Sequence, residues 1–195
     1  MVPEKSAGSN RRIGFFPITG DPIHYGHLRG ALAVCEVCGL ETVYLQVCGD
    51  LGGHKPEKSP KHHRQAMARL AVSEFEPKLR YTALGFEPPQ IGEEVFIAFT
   101  ELPEFEGVEQ FYYIAGADNL GIVRQRFAEN RARLQRPYEL VFLTRTGQPL
   151  QAPGCRVVEC HSPFSSSAIR AGGGAEYLPP VVAEYCRRHR LYGFA

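Results

Sequence analysis

The sequence predicts an α/β fold, a doubly wound sheet of five or six mostly parallel strands with helices on both faces. Three observations carry that prediction. Short apolar runs alternate with longer segments of helical period, the pattern of repeated βαβ units. The runs lack strict apolar–polar alternation, as strands covered on both faces do. Turns rich in glycine, proline and aspartate follow several of them, where open parallel sheets place their ligand groups.

Taken in order, residues 12–16 (RIGFF) form the first strand, and Pro17, Thr19, Gly20, Asp21 and Pro22 the turn after it. A helix over residues 25–38 follows, with Leu28, Ala31, Leu32 and Cys35 as its apolar stripe and Gly39 as its C-cap. Residues 42–47 (TVYLQV) make a second strand, which ends in the glycine-rich and then basic loop GDLGGHKP. Ser59-Pro60 reads as a cap and first-turn proline for a helix over residues 61–75, with Arg64 near its start. Residues 79–86 are strand-like. In residues 94–102 the aromatic and β-branched run VFIAF favours strand by propensity, but the place in the alternation calls for helix, and helix is predicted. Strands over 110–115, 138–144 and 155–159 follow, with helices over 120–127, through Ile169-Arg170, and over 179–189. Residues 1–11 are expected to be a disordered lead and 12–192 a single domain.

With 195 residues, 44% of them hydrophobic and 22% charged, the chain has the composition of one ordinary globular domain. A formal charge of +1 gives no reason to invoke nucleic acid or an anionic membrane, so anion binding must come from local placement. No run approaches membrane-spanning length and no secretory signal opens the chain, so a cytoplasmic location is expected. The six cysteines do not form a disulfide framework, and Cys35-x-x-Cys38 falls inside a helical pattern with no second pair to complete a zinc site. The arginine run 124, 126, 131, 133 and 136 reads as a solvated face or a contact in a homo-oligomer. His62, His63 and His161 read as surface residues or supports.

The chemistry centres on His24 and His27. Three residues apart at a helix mouth, they share a face where free N–H groups and the helix dipole already favour an anion. They could ligate a metal, but no third or fourth ligand stands at a convincing spacing. Phosphate contact is therefore the reading, and no protein-held metal is predicted. Ser165 to Ser167 precede a short helix with Arg170 one turn on, which suits a second phosphate contact.

Four ordered blocks then resemble bacterial nicotinate-mononucleotide adenylyltransferases, within the HxGH nucleotidyltransferase superfamily. They are Asp21-Pro22-Ile23-His24-Tyr25-Gly26-His27-Leu28, His54-Lys55-Pro56 with Arg64, Gly116-Ala117-Asp118-Asn119-Leu120, and Ser165-Ser166-Ser167-Ala168-Ile169-Arg170. The C-terminal stretch from Tyr177-Leu178-Pro179 to Leu191-Tyr192 is also similar. The resemblance spans roughly residues 12–192 and implies a Rossmann-like sheet of nucleotidyltransferase type. It also implies transfer of the adenylyl group of ATP to a pyridine mononucleotide with Mg²⁺, releasing pyrophosphate. His24, His27, Lys55 and Arg170 would be catalytic. Thr19, Asp118, Ser166, Ser167 and Ile169 would bind ATP or its magnesium, and the partners would be small nucleotides, not nucleic acid or membrane. Arg64 is an expected anion contact.

Three departures from the family pattern bear on the acceptor. Pro17-Ile18 and Thr19-Gly20 stand where a glycine pair and Thr-Phe are usual, removing one N–H and adding bulk next to the nucleotide. The pyridine-recognition segment SYTxDTL is replaced by EEVFIAF, residues 93–99, and Tyr81-Thr82 belongs to the strand before it. The chain has no tryptophan, so Phe96, Tyr112 or Phe127 would have to stack on the pyridine ring. Competing readings are a related transferase acting on nicotinamide mononucleotide, phosphopantetheine or a specialised metabolite, one using CTP, and a nucleotide-binding sensor without turnover.

Overall fold

A computed structural model describes residues 11–49, 58–84, 92–145, 147–160, 162–163 and 165–194, and for Arg145 the backbone alone. In chain order the strands and α-helices are β1 (Arg12–Ile18), α1 (Tyr25–Cys38), β2 (Thr42–Val47), α2 (Lys61–Ser73), β3 (Leu79–Thr82), α3 (Gly92–Thr100), β4 (Gln110–Gly116), α4 (Leu120–Glu129), β5 (Tyr138–Arg145), β6 (Arg156–Cys160), α5 (Ser166–Arg170) and α6 (Pro180–Arg188). The six strands form one sheet in the order β3-β2-β1-β4-β5-β6, every pairing parallel. The strand order reverses between β1 and β4, and open sheets bind ligands at such a switch point.

Both faces of the sheet are covered, which is why its strands read as continuous apolar runs. Along β1 and β4 the side chains divide by parity. Ile13, Phe15, Phe111 and Tyr113 enter one core, where α3 and α4 contribute Phe96, Phe99 and Phe127. Phe16, Ile18, Tyr112 and Ile114 enter the other, under α1, α2 and α6. Position 14 also lies on this second face, and it is glycine because a Cβ there would stand 2.7 Å from Val43 Cγ2.

α1 has the predicted bounds and ends at Gly39 in the left-handed conformation, with Leu40 N–H donating to Cys35 O at 2.9 Å. α3 is helical, as its place in the alternation requires. β3 stops at Thr82, not at 86, where the Thr82 hydroxyl accepts the Leu84 N–H. Pro60 is the N-cap of α2 and not its first residue, and Ser59 contributes no side-chain cap.

The arginine run is not one solvated face. Arg136 donates to the carbonyls of Thr100, Phe105 and Val108. Arg126 pairs with buried Glu93, and Arg133 with Glu94, so two of the run tie α4 and the turn after it to α3. Cys35 and Cys38 are free and buried, and burial pushes the Cys35 thiol up to about 11, which suits a packing group and not a redox pair.

Candidate active site

Between the C-terminal ends of β1, β4 and β5 opens a cleft of about 460 Å³. Six of the residues picked out from sequence line it: His24, His27, Asp118, Ser165, Ser166 and Ser167. They come from three separate loops, and the local geometry of each shows how it is placed.

His24 is the N-cap of α1. Its Nδ1 accepts the Gly26 N–H at 3.0 Å, while His27 Nδ1 accepts the His24 N–H at 3.3 Å, a capping box built from two histidines. With both Nδ1 atoms accepting, the hydrogen-bond network assigns the proton of each neutral ring to Nε2. The rings stand 4.0 Å apart. No acidic residue sits in the first turn of α1, so nothing there opposes the positive end of its dipole. Gly26 is dictated by space: a Cβ would strike Ser162 Oγ and the His24 ring, 2.7 Å away. Gly30, one turn on, lets α1 approach β5, because a Cβ there would lie 2.9 Å from Leu143.

The second side of the cleft is the start of α5. Ser165 is its N-cap, accepting the Ala168 N–H at 3.1 Å. Ser166 donates its hydroxyl to Pro22 O at 3.1 Å, and Arg170 donates to Asp21 O. These bonds, 144 and 149 residues apart in sequence, dock α5 onto the turn that carries the histidines. Arg170 Nη2 also reaches Ser167 Oγ at 3.3 Å. Asp118 sits past the end of β4, exposed, with Oδ1 accepting from Asn119. A Cβ on Gly116 would lie 2.6 Å from that Oδ1, so glycine there makes room for the carboxylate.

Several expectations need correction. Arg64 is fully buried, and its guanidinium donates to the carbonyls of Ser59, Thr19 and Cys48 at 2.8 to 3.0 Å. It is a brace beneath the site and not a surface anion contact. Phe96 is fully buried among Phe15, Tyr113 and Phe127, and Phe127 is only 2% exposed, so neither offers a ring to a ligand. Tyr112 is buried on the α1 side of the sheet. Its charged neighbours, Glu139, Arg12 and Arg156, lie at the opposite ends of the strands from the cleft. The Ile169 side chain is core, leaving only its backbone at the site. Ile18 does not crowd the cleft either. It continues β1 and buries its side chain beneath α1, and Gly20 at φ +62° then makes the turn. Thr19 is half-buried with its carbonyl held by Arg64. Lys55, His54 and His161 lie outside the described residues.

Sequence reasoning missed Asp21 as more than a turn residue. It is 2% exposed, and its carboxylate accepts from the Tyr192 hydroxyl and from the Ser59 N–H. The sequence offered only an Asp-Pro pair in a turn, which does not tell a buried acid from an exposed one. Among the described residues no group of three or more His, Cys, Asp or Glu could hold a metal ion, and no helix is long and apolar enough to cross a membrane.

No family model matches the chain. It is 30% identical over 200 residues to a probable nicotinate-nucleotide adenylyltransferase of Synechococcus sp., covering 93% of this chain and 95% of that protein. It is 32% identical over 190 residues to a protein of the same description from Thermus thermophilus, covering 93% and 99%. The fold is also that of Plasmodium falciparum nicotinic acid mononucleotide adenylyltransferase. Solved structures of that protein complexed with APC and with NaAD superpose with TM-scores of 0.67 and 0.69 at 16% identity, covering 95% of this chain and 98% of that one.

Proposed function

Because the chain belongs to the nicotinate-nucleotide adenylyltransferase family, we propose that it transfers the adenylyl group of ATP to nicotinate mononucleotide, giving deamido-NAD and pyrophosphate. The observation that carries this reading is the convergence of the two capped histidines and the α5 N-terminus on one cleft at the switch point of the sheet. Such a cleft suits a polyphosphate. The histidines offer Nε2–H donors, Ser166 and Ser167 offer backbone amides and Ser167 its hydroxyl from the other wall, and Arg170 adds positive charge from the same helix.

The acceptor phosphate is ionised near neutral pH, so no general base is required. One of its oxygens attacks the α-phosphorus of ATP, and the bond from that phosphorus to the β-bridging oxygen breaks. Pyrophosphate leaves with the bonding electrons. The protein contributes by bringing two anions together and by stabilising charge as it moves onto the leaving group. His24 and His27 hold the phosphates at the α1 end, while Ser166, Ser167 and Arg170 hold the β- and γ-phosphates. Thr19 is assigned to the α-phosphate, and Lys55 to the phosphates on the resemblance of its His-Lys-Pro block. Among the described residues no cluster would hold magnesium by itself, so it would enter with the phosphates and help neutralise them, with Asp118 the carboxylate assigned to it or to the ribose.

The test is pyrophosphate release across ATP or CTP against nicotinate mononucleotide, nicotinamide mononucleotide and phosphopantetheine. Turnover is expected with ATP and nicotinate mononucleotide. Equal inactivity with every pyridine nucleotide would sink the reading.

A further inference from the structure

Nothing in the reaction above uses Asp21, although its carboxylate is buried against the phosphate site. Its two oxygens are held from distant parts of the chain. Tyr192 donates its hydroxyl to Oδ1 at 2.6 Å, and the Ser59 N–H donates to Oδ2 at 3.3 Å. Arg170 Nη1 makes only a long ion pair with Oδ2, at 3.9 Å, with no hydrogen bond between them. The guanidinium bonds instead to neutral groups, the Asp21 carbonyl and Ser167 Oγ.

The tail is shaped to deliver that hydroxyl. Arg190 and Tyr192 are the two non-glycine residues with positive φ among those described, at 52° and 56°. Side chains disfavour that conformation, so the surrounding contacts must enforce it. Leu191 N–H returns to Cys186 O and Phe194 N–H to Leu191 O, bracing the turn on both sides. Burial, and then the hydrogen bond to Asp21, push the pKa of the Tyr192 hydroxyl up, so it stays a donor.

A guanidinium beside an unrestrained carboxylate closes into a bidentate pair, and such a pair would compete with phosphate for the same donors. We infer that Tyr192, with the Ser59 amide, holds the Asp21 carboxylate off Arg170 and so keeps the guanidinium available to the phosphates of ATP. Tyr192 is on this account a positioning residue for the transfer reaction, and the inference rests on the assignment of Arg170 to the phosphates.

Steady-state kinetics on the full chain, with ATP varied at saturating nicotinate mononucleotide, test it. Tyr192→Phe should raise KM for ATP about five-fold, with a smaller change in kcat. Adding Asp21→Asn should bring KM back to within about two-fold of the parent, since asparagine still accepts the Ser59 N–H but carries no charge to pair with Arg170. A merely structural role for Tyr192 predicts the reverse, the second substitution compounding the first, and that result would overturn the inference. Arg170→Ala is the control. It should raise KM by itself, and Tyr192→Phe should then add nothing. If Arg170→Ala raises KM while Tyr192→Phe does not, the inference fails and the phosphate assignment stands. If Arg170→Ala leaves ATP kinetics unchanged, the assignment fails and the inference falls with it. Should Phe at 192 alone weaken the fold, the comparison is made in the Asp21→Asn background, where Phe should leave KM unaltered and any rise overturns the idea.

Discussion

His24 and His27 each give one ring nitrogen to the backbone and so settle which nitrogen carries the proton. Capping and phosphate contact are therefore separable within one side chain. Asparagine places an acceptor at the position of Nδ1 and is among the best N-caps, but it has nothing at the position of Nε2. His24→Asn should keep the melting temperature within about 2 °C of the parent while lowering kcat by about a hundred-fold or more, the usual loss for one preorganised donor. His24→Ala should lose the cap as well, at about 1 kcal/mol. Thermal melts beside pyrophosphate release check both, and an active His24→Asn enzyme would remove Nε2 from the reaction. At this scale the sequence showed the placement of residues fixed locally, such as the histidine pair that caps α1 and the serines at the start of α5. The roles of Arg64, Phe96 and Tyr112 depend on which face of a strand or helix meets which neighbour. An arginine that ends on three carbonyls looks the same in sequence as one that ends on an anion.

The elements that bear the site are held to one another chiefly through backbone carbonyls at loop ends. Arg64, from the first turn of α2, binds the end of β1 through Thr19, the end of β2 through Cys48 and its own entry loop through Ser59. Buried carbonyls left without a donor cost about 1–3 kcal/mol each before relaxation. Arg64→Met should accordingly lower stability by at least about 2 kcal/mol, read from the urea midpoint at unchanged m-value. A variant that unfolds like the parent yet binds nucleotide more weakly would restore Arg64 as a direct contact. The same logic explains the element boundaries. The bounds of α1 could be read because its cap and its terminal glycine are local signals. The start of α2 at Lys61 was also read correctly, but its cap was not: Pro60, not Ser59, holds the N-cap position, and the backbone N–H and carbonyl of Ser59 go to Asp21 and Arg64. α3 went against the propensity of VFIAF because its aromatic residues fill the core under β1 and β4, where a helix supplies them at the needed spacing.

Across the whole molecule the parallel, doubly wound sheet follows from the alternating elements, so it was legible, whereas the strand order depends on which way each crossover turns and was not. The closure of the chain on itself was not. α6 packs on α2, with Cys186 against Met67 in the core and His63 Nδ1 2.9 Å from the Tyr185 hydroxyl nearer the surface. His62 and His189 flank His63, with ring centroids 4.1 and 5.1 Å away, and Arg187 and Arg188 end the helix beside them. Burial, then the positive charge that His62 and His189 can acquire, holds the His63 pKa below its ordinary 6.5. The folded protein therefore binds fewer protons here than the unfolded chain between the two pKa values, and stability rises with pH across that window. The contribution is fully present above the unfolded value and is lost as pH falls toward the folded one. Because α6 leads into the tail that carries Tyr192, loosening this face should be felt at the nucleotide site as well as in the melt. Melting temperature followed from about pH 7.5 down to about pH 5 should fall, and His63→Gln should flatten the decline by removing the titrating ring. An unchanged slope in that variant would move the acid sensitivity away from the α2–α6 seam.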